Sequence, residues 1–152
     1  MKYEYVRSDC MGYLQSLPDE SVDLILTEPP HYVWRQRTRR QEGQIPRQWR
    51  TEEEYLDWSY EWTKELVRVL KTGRLMLIWG EIRNITFLKY RVSVMDSFKE
   101  LYPQNDLIAS HNWGTSPARN NFRYKHMVAW SSSKGKEFLF NYDQVAYDPW
   151  TN

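Results

Sequence analysis

The first strongly patterned stretch of the chain is Val22 to Thr27, VDLILT, a near-continuous apolar run with β-branched members. Such a run predicts a strand buried in a parallel sheet. It stops at Glu28-Pro29-Pro30, because proline cannot continue a central strand. Upstream, Tyr3 to Ser8 reads as a short strand ending at Asp9, residues 10–17 as a short helix, and Pro18 to Ser21 as a turn. Downstream, Thr51 with Glu54 three residues on is a capping-box pattern, and Glu52 and Glu53 favour the positive end of a helix. Tyr55, Trp58, Trp62, Leu66 and Val69 then recur at helical spacing as one apolar face, and Lys71-Thr72-Gly73 closes the helix. Arg74 to Trp79 is the next buried strand, ending at Gly80.

A further helix is expected within residues 84–102. Leu107 to Trp113 and His126 to Ser131 read as strands joined by the polar loop 114–125, and Phe138 to Tyr147 as an edge strand. No repeat or linker-like break divides the chain, so residues 1–152 are read as a single domain. Strand alternating with helix predicts an α/β sheet with parallel strands. Ligands of such sheets sit at the carboxyl ends of the strands. Asp9, Glu28 and Gly80 fall at those ends.

Composition changes this picture little. The formal net charge is +1, so any attraction to nucleic acid must be local. Aromatic residues make up 16% of the chain, which suits a base-stacking surface but equally suits core packing. The lone cysteine, Cys10, forms no internal disulfide and suits a reducing cytoplasm. No apolar run reaches ~18 residues and the first ten residues hold no signal region, so a soluble cytoplasmic protein without a membrane span is expected. His31, His111 and His126 lack ligand-like spacing with Cys10, so no metal is expected. There is also no phosphate-binding loop and no zinc-deaminase cysteine pair.

The sharpest chemical signal is Ser21 to Tyr32, SVDLILTEPPHY. A buried strand delivers a carboxylate, then two prolines that fix the backbone, then an imidazole and a phenol. A carboxylate beside flat rings can accept hydrogen bonds from an exocyclic amino group while a ring stacks on the base. A strand that simply ends in a proline-rich turn is the plainer reading of the same residues.

This stretch resembles the catalytic motif of the DNA amino-methyltransferases that modify adenine or cytosine: Asp, Asn or Ser, then Pro-Pro, then Tyr, Phe or Trp. Arg7 to Cys10 and Leu17 to Leu24 are similar to the family's upstream segment. Tyr55 to Trp79 resembles the helix and strand that follow the motif. His126 to Trp130 and Phe140 to Asp143 resemble later segments, so the likeness spans nearly the whole chain, in the order where the motif precedes the cofactor loop. The resemblance implies a Rossmann-like methyltransferase sheet and S-adenosylmethionine as cofactor. It also implies a flipped base, whose amino group is held by the motif while the methyl passes by direct displacement. By position, the catalytic set is Glu28, Pro29, Pro30 and His31, with Glu28 accepting the amino group and His31 stacking. Asp9 and its neighbour Cys10 would meet the adenosine end of the cofactor.

Three features depart from the pattern. Glu28 is one methylene longer than the family's residue, a shift of about 1 Å, and a misplacement of that size can cost ~100-fold. His31 replaces a larger ring. The family's glycine-rich cofactor loop is absent: the glycines stand at 12, 43, 73, 80, 114 and 135, no two closer than seven residues. Such glycines let the backbone approach the cofactor. The expected sheet is therefore incomplete, and so is its cofactor pocket. A second polypeptide carrying the loop would complete it. A homodimer is left open, but it would not supply the loop, since no copy contains it.

Residues 31–50 form a basic loop inserted directly after the motif. Within it, Arg35, Arg37, Arg39, Arg40, Arg47 and Arg50 are interleaved with Trp34 and Trp49, against one glutamate, Glu42. Arginine contacts to phosphate and tryptophan stacking on bases make these eight residues the DNA-binding candidates. A solvated loop is the alternative. The loop 114–125, with Arg119, Arg123 and Lys125, is a weaker second candidate. The sequence thus points to a truncated, split or degenerate DNA amino-methyltransferase of restriction-modification type. The rival is an inactive methyltransferase-like module that binds DNA or protein.

Overall fold

The computed structural model describes residues 3–30, 32, 49–80, 85–110 and 126–144. In chain order the elements are α1 (Cys10–Ser16), β1 (Val22–Thr27), α2 (Glu52–Val69), β2 (Leu70–Gly80), α3 (Ile85–Ser93), β3 (Leu101–Pro103), β4 (Leu107–Ser110) and β5 (His126–Lys134). The strands form one mixed sheet in the order β1-β2-β5-β3, with β4 also pairing β5. Only β1 and β2 run parallel; β5 is antiparallel to β2, β3 and β4. The expected parallel sheet is therefore half right. In its second half the central strand β5 runs against each of its three neighbours.

Helix α2 forms as its pattern requires. Thr51 caps it, its hydroxyl accepting from the Glu54 N–H at 3.1 Å, and the Glu54 carboxylate accepts in turn from the Arg50 N–H at 2.6 Å. Tyr55, Trp62, Leu66 and Val69 are buried, while Trp58 is half-buried. Each fully buried large side chain contributes roughly 1.5–3 kcal/mol. Two polar residues share this face. Ser59 donates to the Tyr55 carbonyl at 2.7 Å, and Thr63 pairs with the buried Tyr90 hydroxyl at 2.9 Å. These bonds offset the cost of burying the hydroxyls.

Several boundaries differ from expectation. Residues 3–8 form no strand, and Tyr3 and Tyr5 are 95% and 87% exposed. Their alternation suits a strand, but among the described residues no neighbour in the sheet pairs with them. Lys71-Thr72-Gly73 does not end α2; these residues already belong to β2. There the parallel register jumps from Val22↔Leu70 to Leu24↔Leu75. The extra residues bulge out, with Gly73 at φ +75, a conformation that favours glycine. Asp23 pins the bulge from both ends, accepting from Lys71 at 2.7 Å and from Arg74 at 3.0 Å. The Lys71 ammonium foremost holds the Asp23 carboxyl below its usual range. β3 went unread, being three residues long and ending in proline. β5 runs on to Lys134, and β4 is described only to Ser110. Among residues 138–144 there is a single helical turn, Tyr142–Gln144, and no strand. The loop 114–125 lies outside the described residues.

Helix α1 packs on α2 through partly buried Met11, Leu14 and Leu17. Arg68, in the last turn of α2, holds it there. Its guanidinium donates to the Leu14 and Leu17 carbonyls at 2.7 and 2.9 Å and to Asp19 at 2.6 Å, with Glu65 beside it on α2. The planar fork thus satisfies the Leu17 carbonyl and adds a second donor to the Leu14 carbonyl, which already accepts from the Leu17 N–H at 3.0 Å. Among the described residues, no helix is long and apolar enough to cross a membrane.

Candidate active site

Strands β1 and β2 end together. Thr27 pairs with Ile78, so Glu28 and Pro29 leave the sheet beside Trp79 and Gly80. Glu28 is exposed, Pro29 is buried and Pro30 is exposed. The buried proline seats the turn on the core, and Glu28 before it is exposed.

The turn has a second anchor. The Tyr55 hydroxyl donates to the Pro30 carbonyl at 3.0 Å. Tyr55 is 1% exposed, and burial pushes its hydroxyl up to about 12. It therefore remains a neutral donor at any physiological pH. Aromatic rings enclose this phenol. Tyr32, half-buried, lies 5.7 Å from it centroid to centroid; Trp49 meets it edge-on at 4.9 Å and meets Trp58 at 4.6 Å. Helical periodicity marked Tyr55 as a core residue and nothing more. Its partner lies 25 residues upstream, and no local pattern reports such a bond.

Removing that one hydroxyl tests the anchor. Tyr55→Phe keeps the ring packing and deletes the bond, which typically contributes about 1 kcal/mol. The expected result is a melting temperature lowered by roughly 3 °C, with faster hydrogen exchange at the Glu28 amide. Unchanged exchange there would show that the turn is held by packing alone.

The other candidates are placed separately. Asp9 is exposed and caps α1, one carboxylate oxygen accepting from the Gly12 N–H at 3.0 Å. Cys10, the first residue of α1, is an exposed free thiol. Trp49 packs among the α2 aromatics, and Arg50 is exposed at the cap of α2. The structure brings Pro30, Tyr32 and Trp49 together around Tyr55, while Asp9 and Cys10 sit on the helix that Arg68 secures. His31, Trp34, Arg35, Arg37, Arg39, Arg40 and Arg47 lie outside the described residues. Among the described residues, no group of three or more His, Cys, Asp or Glu side chains is placed to hold a metal.

A family model described as DNA methylase matches residues 22–150, most of the chain. The chain belongs to this DNA methylase family. It is 26% identical over 157 residues to the type II methyltransferase M.HinfI of Haemophilus influenzae, a match covering 93% of this chain and 42% of that protein. It is 34% identical over 80 residues to the type II methyltransferase M.BamHI of Bacillus amyloliquefaciens, covering 53% of this chain and 18% of that one. Among solved structures, it resembles the cytosine-N4-specific PvuII DNA methyltransferase with a TM-score of 0.63 and 18% identity, covering 86% of this chain and 49% of the other. A DNA modification methylase of Thermus thermophilus, solved with S-adenosyl-L-methionine, is similar at a TM-score of 0.57 and 17% identity, over 90% of this chain and 55% of that one. The methylase chain therefore carries an incomplete Rossmann-like methyltransferase fold, as expected from its motifs. It spans less than half the length of the curated relatives it matches and about half that of the solved ones.

The described residues fit S-adenosylmethionine only in part. Asp9 offers an exposed carboxylate for hydroxyl groups, with one oxygen already engaged by Gly12. The closely spaced glycines that let a backbone approach the methionine end are absent from the chain.

Proposed function

We propose that this single domain is the base-handling portion of a DNA amino-methyltransferase of restriction-modification type, working in the cytoplasm with S-adenosylmethionine. The cofactor loop comes from polypeptide outside these 152 residues. The observation that carries the reading is the end of β1: an exposed glutamate followed by a proline turn that is buried at Pro29 and bonded at Pro30.

In this reading Glu28 accepts hydrogen bonds from the exocyclic amino group of a flipped adenine or cytosine, with a carbonyl of the Pro29-Pro30 turn as second acceptor. Two acceptors on the two amino hydrogens aim the nitrogen lone pair away from the turn. The anchored backbone means that little ordering remains when the base arrives. His31 stacks on the base, Asp9 and Cys10 face the adenosine end of the cofactor, and the arginines and tryptophans of residues 31–50 contact the DNA backbone and bases.

Titration calorimetry with S-adenosylmethionine gives the first test. The isolated chain should bind no cofactor at micromolar concentration; micromolar binding would defeat the claim of an incomplete pocket. With a family cofactor half fused to it, the chain should methylate DNA, and Glu28→Ala should lower the rate about 100-fold or more. The double change Glu28→Asp, His31→Tyr restores the family pattern. If that hybrid stays silent while DNA affinity still falls with salt, the chain is an inactive DNA-binding module instead.

A further inference from the structure

Tyr55 joins the proline turn to both flanks of the basic segment. Its hydroxyl donates to the Pro30 carbonyl at 3.0 Å. Its ring lies 5.7 Å from Tyr32 and 4.9 Å from Trp49 between centroids. Those two residues bracket residues 33–48, the stretch that holds Arg35, Arg37, Arg39, Arg40 and Arg47. One side chain therefore touches the turn and the residue on either side of that stretch.

Local sequence explains why these groups meet. The Glu54 carboxylate accepts from the Arg50 N–H and Thr51 caps α2, so the backbone next to Trp49 is fixed where the helix begins. Tyr55 and Trp58 stand one turn apart on α2, with rings 5.8 Å apart, and Trp49 packs against both. The indole is half-buried, edge-on to Tyr55 at 87° and 4.6 Å from Trp58. To offer a base the surface it packs with, Trp49 would have to leave both rings. It would lose contacts of the same kind as the stack it gained, and it would unseat the phenol that bonds Pro30.

We propose that Tyr55 is a positioning residue for methyl transfer, with Trp49 as the wedge that seats it. Tyr55 holds the proline turn in register with the flanks of the basic segment, so that DNA held there by its phosphates presents a base amino group to Glu28. Neither ring touches the DNA. The proposal rests on the functional reading above, and it narrows the base-stacking tryptophans of that reading to Trp34. The chemistry needs the register, because an error near 1 Å at the reacting group can cost ~100-fold in rate. Attraction between arginine and phosphate varies smoothly with distance and tolerates such an error. Loss of the phenol's hold should therefore appear in the rate of transfer and not in the affinity for DNA.

Three measurements test it. The chain contains one Pro-His bond, Pro30-His31. Carbon-13 at proline carbonyls with nitrogen-15 in histidine therefore isolates the Pro30 carbonyl by NMR. Tyr55→Phe should move that carbon upfield, as loss of a hydrogen bond does. Trp49→Leu should move it the same way, and Trp49→Phe should restore it. Second, the affinity of both variants for a mixed-sequence DNA duplex, and its slope with salt, should stay within about two-fold of the parent chain. A tryptophan that stacks on a base would instead cost about 10-fold or more. Third, in fusion with a family cofactor half, and well below the melting transition, Tyr55→Phe and Trp49→Leu should lower kcat about 10-fold or more while KM for DNA holds within about two-fold. The proposal is overturned if Trp49→Leu leaves the Pro30 carbonyl unmoved or weakens DNA binding about 10-fold. It is equally overturned if kcat is unchanged in a fusion that transfers methyl groups. A parent fusion that transfers none sinks the functional reading, and the role in transfer with it; the carbonyl shift still decides whether Trp49 seats the phenol.

Discussion

Gly80→Ala should destabilise the chain by about 3 kcal/mol, lowering its melting temperature on the order of 10 °C. Gly80 is the last residue of β2, and the Phe87 ring lies flat against it. A Cβ at this position would stand 2.0 Å from Phe87 Cζ and 2.1 Å from Cε1, closer than any real contact. The ring has no free route away. It is 1% exposed and stacks on Trp130 at 4.1 Å with planes 3° apart, and the Arg91 guanidinium covers Trp130 from 5.0 Å. A methyl group at Gly80 therefore forces apart a four-layer stack of Gly80, Phe87, Trp130 and Arg91. Thermal melts of Gly80→Ala, Phe87→Leu and the double variant check this. The smaller Phe87→Leu side chain should relieve the clash, so the double should cost clearly less than the sum of the singles. Strict additivity would mean that the contact is not the cause.

Arg68→Ala should free α1 while leaving α2 and the sheet in place. The guanidinium is the link between α1 and the end of α2, and Asp19 and Glu65 beside it strengthen its charged form. It is partly exposed, so the ion pairs with Asp19 and Glu65 contribute little by themselves. Its bonds to the Leu14 and Leu17 carbonyls contribute more. The loss should be local. Amide exchange in residues 10–17 should accelerate at least 10-fold, with residues 55–69 unaffected. Arg68→Lys should fall between, since one ammonium cannot span the same acceptors. Equal acceleration across α2 would show that Arg68 supports the whole fold and not one helix. Because Asp9 and Cys10 begin α1, the same variant separates the candidate adenosine contacts from the turn at Glu28.

These two contacts also show which parts of the molecule could be read in advance. β1 and α2 were legible because their signals are local: an apolar run stopped by prolines, and a capped face with a helical repeat. The motif Glu28-Pro29-Pro30 was legible for the same reason, and its place at the carboxyl end of a strand followed. Lys71-Thr72-Gly73 misled because a glycine after a helical face usually marks a helix end. Here its positive φ serves a bulge held by Asp23, some fifty residues away in sequence. Residues 3–8 have a strand's composition without a strand's neighbour, and composition does not report the neighbour. Tyr55 and Arg68 act through a hydroxyl and a guanidinium reaching elements 25 and about 50 residues distant. Such links arise only once the chain has folded, so a linear pattern does not contain them.

The aromatic packing beneath the turn has a practical corollary. Trp49 lies edge-on to the phenol that bonds Pro30, and Trp58 and Trp62 extend the group along α2. Indole emission responds to the position and polarity of close neighbours. The protein therefore carries a native optical reporter a few ångströms from its candidate catalytic backbone, and a titrant that shifts this segment should register in intrinsic fluorescence without an attached dye.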